Sequence, residues 1–355
     1  MSLSSVTIES TRADLNARLH GIVPDAEIAL KAELAYKINQ LKTDLGAVIL
    51  GHNYMEPALF HSVCDYKGDS LELSRVAATT ECDPIVFCGV RFMAETAKIL
   101  NPDRTVLLPA RRAGCSLAES ITASDVRHLK DRYPGIPVVV YINTYADVKA
   151  EADICCTSSN AARVVESLDS DQVIFLPDEY LAQNVAKETG KSIVFPSAKP
   201  VSNRARAAAA DNGLHYDLIG WTGRCEVHEK FTVEDISSIR TQFPDVLVLA
   251  HPECSPAVVD AADFSGSTSA MARHVNESEA PQYLLLTECS MGDNIAAEAP
   301  DKDMLRLCSV RCPHMNEITL DQVLLALTEN REQIEVPEDI RARARHAIDR
   351  MLEIG

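Results

Sequence analysis

The sequence predicts an α/β protein with three homologous αβα units, each a Rossmann-like parallel sheet, in a pseudo-threefold arrangement around a central site. Apolar runs that end on a polar side chain occur three times, at Val48–His52, Val139–Asn143 and Val248–His251. A hydroxyl residue that opens an Ala-rich helical pattern follows these runs after 18, 15 and 17 residues, as Ser70, Ser158 and Thr268. Strands that alternate with helices at this spacing predict parallel α/β units, and recurrence of the whole pattern predicts a repeat.

A second strand-like run, a second helical pattern and then a cysteine complete each copy. The second runs contain Phe87, Phe175 and Leu285, and the cysteines are Cys115, Cys225 and Cys312. The distance between these points is 28 residues in the first copy and 27 in the third, but 50 in the middle copy. We therefore expect an insertion in the middle copy, at the Arg- and Ala-rich helical stretch Ser202–Asp211.

The repeat divides the chain into five segments. We predict N-terminal helices over residues 1–44, α/β repeats over 45–133, 134–243 and 244–330, and a C-terminal helix within 331–355. Ile28, Ala32 and Ile38 share one face of the second N-terminal helix, which predicts packing rather than chemistry. From Pro337 to Leu352, apolar residues recur every four positions beneath an Arg-rich face, so this helix is expected to close over the body.

The composition limits the classes of partner. The chain has 52 acidic and 34 basic residues and a net charge of -18, which argues against nucleic acid or an anionic membrane. If the substrate is an anion, its attraction must be local. No run reaches the roughly 18 to 20 apolar residues of a membrane span, and the first ten residues lack a secretory pattern. We therefore expect a cytoplasmic protein whose 11 cysteines are reduced thiols or metal ligands.

The predicted strand ends carry side chains suited to catalysis. In open parallel sheets the ligand lies beyond the carboxyl ends of the strands, so these side chains are expected to meet. They are His52, Tyr54, Tyr141, Asn143, His251 and Glu253. A glutamate beside a histidine near a cationic metal can act as a general base. The hydroxyls at the three helix starts favour a phosphate or carboxylate, with an ordinary N-cap as the alternative for each.

One cysteine per repeat predicts a shared metal centre. Thiolates bind iron-sulfur clusters and zinc, and three ligands on a four-iron cluster leave one iron open as a Lewis acid. Cys308 and Cys312, with His314 nearby, form a weaker zinc-like pattern, and the role of Cys308 stays open. The other cysteines are expected to be ordinary buried residues: Cys64, Cys82, Cys88, Cys155, Cys156, Cys254 and Cys289.

Eight segments, taken together, resemble quinolinate synthase, the iron-sulfur enzyme family of NAD biosynthesis. They are Gly51–Tyr54, Gly68–Leu71, Cys88–Ala97, Gly114–Ser116, Tyr141–Thr144, Thr157–Asn160, His251–Cys254 and Cys312–Met315. The resemblance covers about residues 46–315. It implies a transferase that condenses iminoaspartate with dihydroxyacetone phosphate to quinolinate, with loss of phosphate and water.

The resemblance also implies roles for particular residues. A 4Fe-4S cluster would bind Cys115, Cys225 and Cys312, and its open iron would assist dehydration. Glu253 and Tyr54 would transfer protons, with His228 beside the cluster. The substrates would contact His52, Ser70, Tyr141, Ile142, Asn143, Ser158, His251, Pro252, Glu253 and Thr268. An aspartate-oxidising enzyme that supplies iminoaspartate would be a transient partner.

Two alternatives stay open, and one departure from the family is visible. Other triplicated three-domain 4Fe-4S enzymes, of diphthamide or isoprenoid synthesis, should lack the set of His52 and His251-Pro-Glu253. A non-catalytic metal sensor that uses Cys308, Cys312 and His314 would lose its metal when Cys308 or Cys312 is replaced, but not when Cys115 or Cys225 is. Some family members have a C-x2-C-x2-C run at the last ligand, where this chain has only Cys308 and Cys312. Redox switching by neighbouring cysteines is therefore not expected here.

Overall fold

The computed structural model of the chain describes residues 6–196, 216–305, 307 and 310–355. Two helices, Ile8–Leu19 and Asp25–Leu45, precede the first strand, in agreement with the predicted N-terminal helices. The second helix buries its apolar face and contacts the helix Leu320–Glu329. No helix in the described part of the chain is both long and apolar enough to cross a membrane.

The first unit is a four-stranded parallel sheet with the order β2-β1-β3-β4. Its strands are β1 Val48–His52, β2 Tyr66–Gly68, β3 Ile85–Cys88 and β4 Val106–Leu107. Its helices are Pro57–Ser62, Ser70–Thr79, Arg91–Leu100, Ser116–Glu119 and Ala123–Arg132. All residues of β1 and β3 are buried, as expected for a sheet covered on both faces.

The second unit is a five-stranded parallel sheet with the order β6-β5-β7-β9-β8. Its strands are β5 Val138–Tyr141, β6 Ile154–Cys156, β7 Val173–Leu176, β8 Ile193–Val194 and β9 Leu218–Ile219. Its helices are Ala146–Lys149, Ala161–Glu166, Glu179–Glu188, a 3-10 turn His228–Lys230 and Val233–Gln242. The fifth strand, β8, belongs to the extra chain length predicted here, whereas Ser202–Asp211 lies outside the described residues.

The third unit is a four-stranded parallel sheet with the order β11-β10-β12-β13. Its strands are β10 Leu247–Ala250, β11 Phe264–Ser265, β12 Gln282–Leu286 and β13 Asp303–Leu305. Its helices are Pro256–Ala261, Thr268–Glu277, Cys289–Glu298, a 3-10 turn Met315–Glu317 and Leu320–Glu329. The helix Glu338–Ile354 follows and packs on β6 and on the helix Arg91–Leu100. The fold class is thus confirmed, while the domain limits themselves stay predictions.

The strand registers define which residues of the three units are equivalent. Leu50 pairs with Phe87, Val139 with Phe175 and Leu249 with Leu285. Two positions beyond the first member of each pair, the equivalent residues are therefore His52, Tyr141 and His251. The predicted alignment of Asn143 with the two histidines was wrong. The apolar run continues past the strand because Ile142 is itself buried, so the run is longer than β5.

The outer strands give a matching correspondence for the three hydroxyl residues. His52 pairs with Gly68, and Tyr141 pairs with Cys156. In the third unit Ala250 pairs with Ser265, and the same register continued by one residue places His251 opposite Gly266. Two residues beyond these partner positions are Ser70, Ser158 and Thr268, which are therefore equivalent.

The helix expected to open at Ser158 begins later, at Ala161. A turn precedes it, in which the backbone N–H of Thr157 donates to Asn160 Oδ1 at 2.7 Å and Asn160 N donates to Thr157 O at 3.2 Å. Asn is well suited to this kind of local bond, because its short side chain reaches the backbone of its own turn. Ser158 is thus held in a turn and is left free to face the interior.

In each unit, one polar side chain forms hydrogen bonds with the backbone of a loop in the next unit. Glu95 of the first unit accepts a hydrogen bond from the backbone N–H of Ala146 in the second unit, at 2.8 Å. Asn184 of the second unit donates to the carbonyl oxygens of Pro252 and Cys254 in the third unit, at 2.8 and 2.9 Å. These contacts hold the loops that follow the central strands β5 and β10.

The third unit closes the cycle. Asn294 donates to the carbonyl oxygens of Asn53 and Met55, in the loop after β1, at 3.1 and 2.9 Å. The first unit therefore holds the second, the second holds the third, and the third holds the first. This cyclic order is the predicted pseudo-threefold arrangement, and it brings the carboxyl ends of the three central strands to one point.

Candidate active site and metal centre

One cavity, with about 700 Å³ of empty space, lies where the three units meet. The predicted residues that line it are His52, Tyr54, Ser70, Tyr141, Asn143, Ser158, His228, His251, Glu253, Thr268, Cys115, Cys225 and Cys312. Ile142 is buried and is not among the lining residues, and Pro252 lines a neighbouring cavity instead. The three sheets thus converge on a single shared cavity, as the repeat predicts.

The two equivalent histidines are held in the same way. His52 Nδ1 accepts the backbone N–H of Tyr54 at 3.2 Å, and His251 Nδ1 accepts that of Glu253 at 3.3 Å. Burial lowers the pKa of each imidazole to about 3, so both rings are neutral near pH 7. Because Nδ1 accepts, the hydrogen of each ring is on Nε2. His251 Nε2 faces Ser158 Oγ at 3.3 Å. Both rings therefore present a donor to an anionic or carbonyl oxygen.

Glu253 is the most highly connected acid in the cavity. Its Oε1 accepts hydrogen bonds from the Tyr141 hydroxyl and, at 3.3 Å, from Asn143 Nδ2. Its Oε2 lies 2.8 Å from His228 Nδ1. Burial alone would raise the pKa of Glu253, but the charge and hydrogen bond of His228 outweigh burial and hold the pKa below its ordinary value. The carboxylate is therefore ionised, and it orients the His228 ring.

The other side of His228 faces two hydroxyl groups. Its Nε2 lies 2.9 Å from Thr287 Oγ1 and 3.4 Å from the Tyr54 hydroxyl, and these two oxygens are 2.5 Å apart. Burial, followed by the charge of Glu253, raises the pKa of Tyr54 well above its ordinary value, so the phenol keeps its proton. A continuous hydrogen-bonded chain therefore runs from Glu253 through His228 to Thr287 and Tyr54.

Thr287 was missed in the sequence analysis. It directly follows Leu286, the last residue of β12, and is buried. The signal was present, because a polar residue at the carboxyl end of a parallel strand faces the ligand side.

The hydroxyls at the helix starts are not N-caps. Asp69 caps the helix Ser70–Thr79, and Ser267 caps the helix Thr268–Glu277. Ser70 and Thr268 are the first residues within these helices and line the cavity, and Thr268 Oγ1 accepts from Asn53 Nδ2 at 2.9 Å. Because the preceding residues satisfy the caps, these hydroxyls remain available to a ligand.

The three cysteines occupy the same backbone turn. The carbonyl oxygen of each accepts the N–H four positions later, from Glu119 at 3.0 Å, Glu229 at 3.0 Å and Asn316 at 3.1 Å. The backbone N–H groups two and three positions after each cysteine donate to its sulfur and favour the thiolate. Such turns are suited to thiolate ligands, because hydrogen bonds to the sulfurs stabilise their negative charge.

A threonine seven positions after each of these cysteines extends the repeat. Thr122, Thr232 and Thr319 cap the helices that begin at the next residue, each by accepting the N–H three positions later. The spacing C-x6-T was readable in the sequence but was not used. It selects Cys312 rather than Cys308 as the equivalent of Cys115 and Cys225, since Cys308 has Met315 seven positions later.

The donor set fits a cationic centre. Burial raises the pKa of Cys115 to about 12 and that of Cys312 to about 11, and it raises the pKa of Cys225 well above its ordinary value. Thiolates here therefore need a bound cation to offset the loss of solvent. Cys225, His228 and Glu253 also offer three ligand atoms within 4.8 Å of one another, a group that can hold a metal.

The remaining cysteines lie away from the cavity. Cys88, Cys155, Cys156 and Cys254 are buried, and Cys64, Cys82 and Cys289 are half-buried. All described cysteines are free thiols, in line with the absence of disulfide spacing. Cys308 lies outside the described residues. His314, expected as its partner in a zinc-like group, pairs with Glu226 at 3.2 Å and lines the central cavity.

Three parallel units that direct histidines, a glutamate and three thiols into one cavity define an α/β enzyme with a single shared, metal-competent site. The family model "Quinolinate synthetase A protein" matches residues 36–353. Quinolinate synthase 2 of Mesorhizobium japonicum is 49% identical over 348 residues, covering 98% of this chain and 99% of that protein. The quinolinate synthase of Agrobacterium fabrum is 49% identical over 351 residues, 99% of this chain and 94% of that protein.

A third relative, the quinolinate synthase of Xylella fastidiosa strain 9a5c, is 51% identical over 317 residues, which cover 89% of this chain and 86% of that protein. The identity extends over nearly the whole length of these proteins and includes all three units. The chain belongs to the quinolinate synthase family, and the resemblance read from its motifs is confirmed.

Proposed function

We propose that the chain is a quinolinate synthase, a transferase that condenses iminoaspartate with dihydroxyacetone phosphate to form quinolinate, phosphate and two molecules of water. The observation that carries this proposal is the central cavity itself. It combines neutral imidazole donors, three hydroxyls from equivalent helix starts and an ionised glutamate with three thiols, in a chain that matches quinolinate synthases over its length. The reaction needs no oxidant, because formation of the aromatic ring is balanced by loss of water and phosphate.

The cofactor of this proposal is a 4Fe-4S cluster held by Cys115, Cys225 and Cys312. It is supported by the three identical turns, in which backbone N–H groups face each sulfur. When bound, such a cluster supplies an iron without a protein ligand, which acts as a Lewis acid toward a substrate hydroxyl or carboxylate during dehydration.

His228 and Tyr54 are the groups proposed to move protons. Ring formation removes protons from carbon and nitrogen and delivers protons to two departing hydroxyls. With Glu253 holding Nδ1 and its carboxylate stabilising the imidazolium, His228 can give up a proton from Nε2 and take one back, and Tyr54 can donate one from its hydroxyl. Glu253 is thus proposed to act chiefly through His228, which refines the earlier expectation that it is the base itself.

The substrates are proposed to bind the polar side chains that line the cavity beside the thiols. Nε2–H of His52 and of His251 would donate to carboxylate oxygens, together with Asn143. The hydroxyls of Ser70, Ser158 and Thr268 would donate to carboxylate or phosphate oxygens. Tyr141 would contact substrate while its hydroxyl bonds to Glu253, and Ile142 and Pro252 would shape the loops behind this wall.

We further propose a cytoplasmic enzyme that takes iminoaspartate from an aspartate-oxidising enzyme by transient contact. This rests on the reactivity of the substrate, since an imine hydrolyses in water. The assay should therefore generate iminoaspartate in place, by enzymatic oxidation of aspartate.

The test is anaerobic purification, iron and sulfide analysis, and a quinolinate assay with both substrates. We expect four irons and four sulfides per chain, as the composition of a 4Fe-4S cluster requires, with quinolinate formed only when both substrates are present. Loaded protein that forms no quinolinate would contradict the proposed reaction. Protein that forms quinolinate without iron would contradict the proposed cofactor.

A further inference from the structure

A second cavity, with about 1850 Å³ of empty space, adjoins the central one. The two share Asp69 and Ser158 among their lining residues. All three units contribute to the second cavity, and the residues next to the central hydroxyls, such as Ser267, lie on its wall. It therefore borders the predicted binding hydroxyls, and the exposed side chains in its wall show that it reaches the surface. We call it the vestibule.

One arginine from each unit lines the vestibule at the same repeat position. Arg75, Arg163 and Arg273 each stand five residues after the equivalent hydroxyls at positions 70, 158 and 268. The strand registers establish this equivalence independently of the arginines. All three side chains are exposed. The pseudo-threefold arrangement thus places three guanidinium groups around one opening.

Among the described residues, the side chains of these three arginines form almost no hydrogen bonds that could stabilise the fold. Within the part of the chain that the structure describes, the side chains of Arg75 and Arg273 form no hydrogen bond or ion pair. Arg163 makes one long contact, from Nη2 to the carbonyl oxygen of Gly355 at 3.4 Å. An exposed arginine without a partner is common on a surface, but three at equivalent positions around one opening are a pattern that solvation alone does not explain.

Three of the four acidic side chains that line the vestibule accept hydrogen bonds or pair with a lysine. Asp69 accepts the N–H groups of Leu71 and Glu72 at 3.0 Å, and Glu72 accepts from Ser269 and from Asp69 N. Asp260 pairs with Lys187. Glu188 is the other acid of this wall. Four acidic and four basic side chains thus line the vestibule, and because Lys187 pairs with Asp260, the three arginines are the cations of this wall without an acidic partner among the described residues, in a chain whose net charge is -18.

We infer that Arg75, Arg163 and Arg273 form an anion-capture site that concentrates small dianions, dicarboxylates and phosphate monoesters, at the entrance to the catalytic cavity. This inference rests on the proposed function for its substrates, both of which are dianions. A net charge of -18 repels such ligands from the molecule as a whole. The three guanidinium groups would offset this repulsion for an anion that reaches them, because low-dielectric walls strengthen their local field.

The test compares the iron-loaded wild-type enzyme with the triple variant Arg75→Gln, Arg163→Gln, Arg273→Gln. At an ionic strength of about 0.01 M, where charges act over about 30 Å, kcat/KM for dihydroxyacetone phosphate should fall about tenfold or more in the triple variant. The loss should appear mainly in KM, and the two proteins should converge near 1 M salt, where the screening length is about 3 Å.

A matched control removes the same charge elsewhere. Arg12, Lys191 and Arg341 lie outside the described walls of both cavities. The triple variant Arg12→Gln, Lys191→Gln, Arg341→Gln should keep kcat/KM within about twofold of wild type, because it changes the net charge equally but none of its side chains lines the vestibule. An equal loss in this control, or no loss in the vestibule variant, would overturn the anion-capture site.

A measurement without turnover separates this inference from the proposed function. Equilibrium dialysis with inorganic phosphate at low salt should show at least about threefold weaker binding to the vestibule variant than to wild type. If wild type forms no quinolinate but this difference remains, the proposed reaction fails and the anion-capture site stands. Equal phosphate binding in the two proteins would contradict the site whatever the enzyme's activity.

Discussion

At the scale of single residues, the site is organised by hydrogen bonds that fix protonation states. Backbone N–H groups set the tautomers of His52 and His251, and burial keeps both neutral. Glu253 is ionised and orients His228 through Nδ1. The other ring nitrogen of His228 faces Tyr54 and Thr287. The protons available at this site are therefore those of the phenol and the imidazole.

Replacement of Glu253 tests the role of the carboxylate. Glu253→Gln removes the charge that stabilises a protonated His228 while keeping the size of the side chain. We expect kcat to fall about 100-fold to 10000-fold, the usual contribution of a general acid-base group, with iron and sulfide content unchanged. Glu229→Gln, on the exposed 3-10 turn, is the matched control. Near-normal quinolinate formation by Glu253→Gln would exclude an essential role.

Thr287 is predicted to position Tyr54 and His228. Thr287→Val keeps the shape but removes both hydrogen bonds, so we expect kcat to fall about tenfold or more, since a net hydrogen bond is worth about 1 kcal/mol and this one orients two groups. Thr287→Ser restores the hydroxyl and should recover most of the activity. Equal loss in both variants would indicate a packing role instead, and steady-state kinetics with the pH profile of kcat distinguish the two.

At the scale of elements, the repeat explains how much could be predicted from the sequence. The strands β1, β3, β5, β7, β10 and β12 and the helices after them follow from apolar runs and small-residue helical patterns, because buried parallel strands carry continuous apolar sequence. The predicted end of β5 and the predicted start of the helix near Ser158 were wrong. In both cases tertiary burial or a local Asn turn, rather than propensity, sets the boundary.

The site was predictable to the extent that it sits at strand ends. The repeat or the family motifs predict the three cysteines, the histidine pair and Glu253. The position of Thr287 at a strand end and the C-x6-T spacing are also visible in the sequence, but they were not part of the prediction. The hydrogen bonds that Glu95, Asn184 and Asn294 form between units could not be predicted from the sequence, because they depend on how the three sheets are arranged in space. The vestibule arginines required the strand register for their equivalence.

The threonine caps make an element-scale prediction. Thr232 accepts the N–H of Asp235 at 3.2 Å, and Asp235 accepts the N–H of Thr232 at 2.9 Å, so the first turn of the helix Val233–Gln242 is closed in both directions. Thr232→Ala should lower the free energy of unfolding by about 1 kcal/mol, measured by urea denaturation. Thr232→Ser should retain most of the stability. An unchanged midpoint for the alanine variant would contradict the assigned cap.

At the scale of the whole molecule, function depends on the closed ring of three units. Each central strand delivers its polar end to the cavity only because the neighbouring unit holds the following loop. The same symmetry that brings three thiols together brings three arginines to the entrance. The net charge of -18 repels anionic substrates, and the proposed arginine site would offset this repulsion locally.

Asn184 tests the ring. Asn184→Ala leaves the carbonyl oxygens of Pro252 and Cys254 without their partner and loosens the loop that carries His251 and Glu253. We expect unfolding to be easier by about 1 to 3 kcal/mol, together with a raised KM. Gln183→Ala, its neighbour on the same helix, is the control, because its side chain bonds only within that helix. Unchanged KM and stability in Asn184→Ala would argue against the contact.

The most direct test of the central claim is the iron and sulfide content of single cysteine variants purified anaerobically. Cys115→Ser, Cys225→Ser and Cys312→Ser should each abolish cluster assembly, while Cys82→Ser, away from the cavity, should keep it. Loss in Cys225→Ser alone would instead indicate a single metal on Cys225, His228 and Glu253. Full iron and sulfide in any of the three predicted ligand variants would contradict a cluster shared by the three units.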